Sequence, residues 1–285
     1  MTHLKITELT PTFGVEISGF DPKAPLDDAT RKQLQDLFDT RKLLIFRDID
    51  LPHPDQTRIG LMLIGKEHEF SLEKLREDNF YISNKRAEAA APFGRLQFHA
   101  DTMWAEKPFE VLSLYGVEVE QPAASTTFVN GVDAWNTLPD DLRKRIEGLE
   151  VLHTAGAVRR GDMSGVLVTE VDNPPYTITK LGLRHPRTGE TVLYACEQMT
   201  KEIVGLPHDE SEAILKEVFD HLYRPEGQLE HHWREGDYAV WDNIALQHAR
   251  GPVSLDGPAR TLRKAASPMP QLRPDQIPAW KKEAV

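Results

Sequence analysis

The sequence predicts a mainly β protein, a single antiparallel β core decorated with helices, and three observations support this. Helical spacing is concentrated early in the chain, whereas strand-like runs dominate from about residue 95. Those runs follow one another without the regular helix that each parallel crossover would need, so alternating βαβ units fit less well. No glycine-rich dinucleotide loop follows the first predicted strand, and no Walker sequence occurs, which weakens a nicotinamide or nucleotide-triphosphate enzyme.

Each element has its own warrant. DDATRKQLQDLFDTRK, residues 27–42, predicts a helix: Leu34, Leu37 and Phe38 share a face, and Asp27 or Asp28 can cap the start. LLIFR, 43–47, reads as a short buried strand and DQTRIGLMLIGKEH, 55–68, as a second helix. FEVLSLYGVEVE, 109–120, reads as a strand, and TTFVNGV continues the β signal after the QPAAS break. LPDDLRKRIEGL, 138–149, and DESEAILKEVFDHLY, 209–223, have amphipathic helical spacing. YTITKLGLRH, TVLYACEQ, DYAVWDN and RTLRKAA add strands, while DHLYRPEGQLEHHW reads as an exposed turn carrying His231 and His232. One domain is expected over 1–285, with variable active-site segments near 69–98 and 154–184.

Composition narrows the function. A net charge of -11 argues against an extended nucleic-acid face, while leaving room for a small basic pocket that takes an anion. The one cysteine, Cys196, excludes an internal disulfide and a Cys-rich zinc or iron–sulfur site. MTHLKITELT lacks the basic region and apolar run of a signal peptide, and no apolar stretch approaches a membrane span. The expectation is a cytoplasmic protein with no membrane and no nucleic-acid partner. The proline-rich segment PMPQLRPDQIPAW suits packing on its own domain or on a second subunit of a homo-oligomer.

Three stretches carry chemistry. In RLQFHADTMW, residues 95–104, His99 and Asp101 stand two apart, and on a strand both point to one side. His53 and Asp55 have the same spacing, but Pro54 and the polar surroundings mark a turn there. In GDYAVWDNIALQHAR, 236–250, a strand-like run leads through WDN to His248, which the fold can bring in as a third ligand. Two nitrogens and one oxygen on one face suit a non-haem Fe(II) oxygenase, and equally a zinc site with an open position. In GPARTLRKA, 257–265, Arg260 and Lys264 share a strand face and Arg263 points away. An inward arginine grips a carboxylate through two parallel hydrogen bonds, and Thr126 or Thr127 can add a hydroxyl. Structural roles compete with each of these: a core histidine beside Phe98, a turn-capping Asp101, a solvated basic face.

Taken together and in order, FGVEISGFDPKAPLDD, LLIFRDIDLPHPDQT, FHADTMW, PAASTTFVNGVDAWNTLP, LRHPRTGETVLYACEQMTKEIVGLP, GDYAVWDNIALQHAR and RTLRK resemble the TauD/TfdA family of Fe(II)/2-oxoglutarate-dependent dioxygenases. The resemblance covers nearly the whole chain and implies a double-stranded β-helix, or jelly roll, with outer helices. It implies that His99, Asp101 and His248 hold Fe(II), that Thr126 and Arg260 hold the distal carboxylate of 2-oxoglutarate, and that Lys264 reaches an anionic group of the substrate. Met103, Trp104, Phe80 and Tyr81 are further candidates for the substrate wall. The implied reaction uses O₂ to hydroxylate an unactivated C–H bond of a small organic acid, with succinate and CO₂ as coproducts. Asp101 fills the place that related halogenases leave open, which points to oxygenation. Two departures stand out: Ile244 follows Asp242 and Asn243 where an arginine is common, and Ala123 and Ala124 replace family glycines. A zinc-dependent hydrolase and a non-catalytic jelly roll that binds small molecules are the alternatives.

Overall fold

The computed structural model describes residues 4–72, 81–156, 158–168 and 170–276. Two β-sheets organise it. The larger runs, edge to edge, through Lys5–Glu8, Val15–Ser18, Leu43–Phe46, Tyr238–Asp242, Val111–Val119, Arg260–Ser267 and Tyr81–Ser83. The smaller runs through Gln228–His231, Thr126–Asn130, Leu246–Val253 and Gly94–His99, all antiparallel. Along the chain Val111–Val119 lies in the large sheet and Thr126–Asn130 in the small one. Tyr238–Asp242, Leu246–Val253 and Arg260–Ser267 then alternate large, small, large. That alternation winds the chain as a jelly roll with surrounding helices.

The inner faces meet in one apolar cluster, with Leu112, Leu114, Trp241 and Leu262 from the large sheet and Phe128 and Leu246 from the small one. Outside the large sheet, Leu34 and Phe38 of helix Asp28–Arg41 and Ile59 and Met62 of helix His53–Leu63 pack on Leu44, Phe46 and Val240. Leu43–Phe46 is therefore covered on both faces, which is why its sequence is apolar at every position instead of alternating. Helices Asp140–Ile146 and His208–Leu222 cover Val129, Val151 and Leu193 on the other flank. Among the described residues no helix is long and apolar enough to cross a membrane.

Local chemistry explains the element ends. Asp27 caps the first helix by accepting from the Thr30 amide at 2.7 Å, and the helix stops at Lys42 in the left-handed region. His53–Pro54–Asp55, expected as a turn, is instead the first turn of the second helix, where proline's missing N–H costs nothing. That helix ends at Leu63, five residues earlier than its apolar run suggests. TTFVNGV is a strand only to Asn130, whose side chain accepts from the Val132 amide at 2.9 Å and starts helix Gly131–Asn136. TVLYACEQ holds a strand only over Thr191–Leu193, and the helix expected over 138–149 is confined to Asp140–Ile146. His231, expected in an exposed turn, is 2% exposed within Gln228–His231, whereas His232 is exposed. Strands Lys5–Glu8, Val15–Ser18, Glu150–Thr154 and Thr200–Ile203 are too short and too polar for periodicity to single out.

Candidate metal centre

Strand pairing brings the histidines together. His99 ends Gly94–His99, and its register partner on Leu246–Val253 is His248; the ring centroids lie 4.2 Å apart. Asp101 lies beyond the strand, in a turn that Thr102 enters with positive φ, so strand periodicity does not position it. Asn243 does. Its Oδ1 accepts from the Asp101 amide at 3.0 Å, and its Nδ2 donates to the carbonyls of Asp101 and Phe109, each at 2.9 Å. Thr102 Oγ1 closes the same turn, donating to the Asp101 carbonyl at 2.6 Å and accepting from the Phe109 amide at 3.0 Å. Sequence reasoning passed over Asn243 as a strand end; the polar WDN after an apolar run was the available signal.

The result is a compact donor set. One ligand atom from each of His99, Asp101 and His248 lies within 4.8 Å of the other two. Asp101 Oδ1 is 3.2 Å from His99 Nε2 and 3.8 Å from His248 Nε2, while Oδ2 accepts from the Lys264 ammonium. The His99 Nδ1 faces the Gln97 carbonyl at 2.8 Å. A carbonyl only accepts, so Nδ1 carries the proton and Nε2 offers its lone pair to the cluster. Burial opposes charge on Asp101, but the Lys264 ammonium beside it holds its carboxyl well below the usual range. Burial and the neighbouring His99 and Lys264 keep His248 far below the usual imidazole value, hence neutral. Two imidazole nitrogens and one carboxylate oxygen can chelate a divalent ion and leave positions open for other ligands.

Further along the interior, Arg260 is 3% exposed. Its Nε donates to the Ala124 carbonyl at 2.8 Å, and its Nη2 lies 3.5 Å from Thr126 Oγ1. Trp233 Nε1 also donates to Thr126 Oγ1, at 2.9 Å. Ala123 and Ala124 avoid the left-handed region altogether, so this loop has no need of glycine there. Arg263 faces the other way, donating to Gln56 Oε1 at 2.7 Å. After Asn243, Ile244 packs in the core, and Arg187 reaches Asp242 from another turn, beside His185 Nε2 at 3.0 Å.

The substrate-wall candidates separate. Met103 is 1% exposed and packed among Ala100, Val132, Tyr194 and Ile244, so its side chain is committed to the core. Trp104 is half-buried, and Tyr81 lies under the Arg86 guanidinium at 3.7 Å. Phe80 lies outside the described residues.

The chain is similar to known proteins over nearly its whole length. The family described as Taurine catabolism dioxygenase TauD, TfdA family matches residues 5–266. A taurine dioxygenase structure from Burkholderia xenovorans superposes with a TM-score of 0.74 at 25% identity, covering 95% of this chain and 93% of that one. An alkylsulfatase of Acinetobacter baylyi is 24% identical over 255 residues, 86% of this chain and 79% of its own length. The alpha-ketoglutarate-dependent 2,4-dichlorophenoxyacetate dioxygenase of Cupriavidus pinatubonensis is 24% identical over 277 residues, 91% of this chain and 96% of its own.

Proposed function

The chain belongs to the TauD/TfdA family and is an Fe(II)/2-oxoglutarate-dependent dioxygenase, and we propose that it hydroxylates a C–H bond of a small anionic organic molecule. The observation behind the reading is the division of the interior into a neutral-imidazole and carboxylate cluster and a separate buried guanidinium beside a hydroxyl.

In this reading His99, Asp101 and His248 hold the iron. When bound, the iron supplies the oxidising chemistry, coupling O₂ to decarboxylation of 2-oxoglutarate. The Gln97 carbonyl keeps the His99 proton on Nδ1, and Asn243 fixes the turn that presents Asp101. Arg260, with Thr126, takes the distal carboxylate and so sets the direction in which the keto-acid end points. Trp233 donates to Thr126, leaving the threonine proton free to face that carboxylate. Lys264 offers its ammonium to the substrate's anionic group while remaining near Asp101. An anion fits the printed names of the relatives, since taurine and 2,4-dichlorophenoxyacetate each carry a charged acid. Residues 1–285 act as one domain in this reading, and the cytoplasm suits the buried free thiol of Cys196.

Anaerobic visible absorption during titration with Fe(II), then 2-oxoglutarate, tests it against His99→Ala and Arg260→Ala. The expected result is a charge-transfer band that requires His99 and weakens without Arg260. Folded protein that binds Fe(II) but gives no band would overturn chelation and favour zinc hydrolysis or simple binding.

A further inference from the structure

Among the described lysines and arginines, three are buried: Lys42, Arg250 and Arg260. A buried charge is costly unless paired, and Lys42 obeys this by meeting Glu190. Arg250 and Arg260 meet no carboxylate among the described residues. Arg250 donates only to neutral carbonyls: Nη1 to Ala91 at 2.6 Å, and Nη2 to Phe93 and Gly94 at 2.8 Å each. Its Nε is buried with no hydrogen-bond partner among the described residues.

The two guanidiniums flank one residue. Arg250 is the register partner of Thr126 on the neighbouring strand, and paired positions point to the same face. It also follows His248 by two on the same strand, so it shares the face that carries the metal ligand. Arg260 approaches Thr126 from the opposite sheet. Burial and the Arg250 charge push Arg260 down to about 9. Arginine keeps its proton at neutral pH, so the interior near Thr126 holds two positive charges that meet no carboxylate among the described residues.

We propose that Arg250 is a second cation of the pocket that receives the distal carboxylate of 2-oxoglutarate, a positioning residue that acts through its charge while its fork is tied to the 91–94 backbone. The inference rests on the dioxygenase reading and deepens it. The carbonyl clamp has a use of its own. It fixes the guanidinium without neutralising it, so the field at Thr126 is preserved for an incoming anion. It also steadies the segment that leads into the His99 strand, where Ala91 has positive φ.

The test separates charge from clamp. Dissociation constants for 2-oxoglutarate and for pyruvate are measured anaerobically from the Fe(II) chelate band. Pyruvate offers the same keto-acid chelate but no distal carboxylate. Arg250→Gln keeps N–H donors for the carbonyls and removes the charge; Arg250→Lys keeps the charge and loses the fork; Arg260→Met is the control. A unit charge about 8–12 Å away, through an effective dielectric of ~20, changes an anion's affinity by roughly 10- to 30-fold. Arg250→Gln should weaken 2-oxoglutarate by about that factor and pyruvate by less than about 3-fold, with Arg250→Lys restoring most of the difference. Equal weakening of both ligands in Arg250→Gln, or no rescue by lysine, would overturn the proposal and leave Arg250 as a clamp. If Arg260→Met also left the ratio of the two affinities unchanged, the assignment of the pocket itself would fail. A ratio that collapses in Arg260→Met but survives in Arg250→Gln would sink only the role of Arg250.

Discussion

Asn243→Ala should damage stability and metal binding together. The Asn243 side chain makes three hydrogen bonds and is fully buried. Truncation leaves the Asp101 carbonyl its bond from Thr102, but removes the partner of the Asp101 amide and one partner of the Phe109 carbonyl. Two orphaned groups at about 1–3 kcal/mol each, plus a small cavity, amount to a loss of about 3–5 kcal/mol. A domain stable by about 5–15 kcal/mol survives that, so the variant should still fold. The freed turn lets the Asp101 carboxylate leave the two imidazoles, and Mn(II) affinity should fall by about tenfold or more. Asn243→Asp should do no better, because a carboxylate there faces two carbonyl oxygens. Urea unfolding of metal-free protein gives the first number and calorimetric titration with Mn(II) the second. A loss below about 1 kcal/mol with unchanged Mn(II) affinity would refute the argument that Asn243 positions the ligand.

Removing the ammonium in Lys264→Met leaves the half-buried Asp101 carboxylate without that cation, so metal-free protein should lose about 1–3 kcal/mol, and Mn(II) should restore more stability than it adds to the parent; equal gains in thermal melts would contradict this. His153 is fully buried between Thr200 and Thr179, and burial pushes its imidazole down to about 3. Its unfolded form takes up a proton near pH 6.5 and its folded form does not. The stability it contributes is therefore present above pH 6.5 and lost as pH falls towards 3, by up to about 1.4 kcal/mol per pH unit. His153→Gln should flatten urea-unfolding stability between pH 6.5 and 4.5, and an unchanged slope would refute the assignment. A methyl added in Gly116→Ala would sit 2.4 Å from the Arg234 carbonyl, a backbone atom that cannot swing away. The expected cost is about 1–3 kcal/mol in urea unfolding, and a neutral result would mean that the Arg234 turn relaxes.

What the sequence made legible follows from which interactions are local. Leu34, Leu37 and Phe38 announce their helix because one apolar face is its whole tertiary role. Leu43–Phe46 announces a buried strand by its unbroken apolarity. The polar strands Glu150–Thr154 and Thr200–Ile203 stay silent, because their pairing depends on partners about 50 residues away and not on periodicity. His231 was misread for a related reason: the polar residues around it look like a loop, yet pairing with Thr126 buries it. In the site, the cluster of His99, Asp101 and His248 was legible through ordered motifs. The burial of Arg250 was not, since an arginine on a strand reads as a solvated face until the fold shows which side is covered; nor was the contact of Arg187 with Asp242, which comes from a turn.

The same reasoning explains why the centre depends on both sheets. The small sheet supplies His99, His248, Thr126 and Arg250, which strand register alone brings into line. The large sheet supplies Arg260 and Lys264 on one face of a single strand. Neither set is useful alone: Lys264 must cross the interior to reach Asp101, and Arg260 must cross it to reach Thr126. The separation is set by the apolar cluster of Leu112, Leu114, Phe128, Trp241, Leu246 and Leu262 between them. Because side chains alternate along a strand, a slip of Arg260–Ser267 by one residue would turn Arg260 and Lys264 outward and bring Arg263 in. That slip would also carry Leu262 out of the cluster. The packing that stabilises the jelly roll and the register that aims its charges are therefore the same constraint.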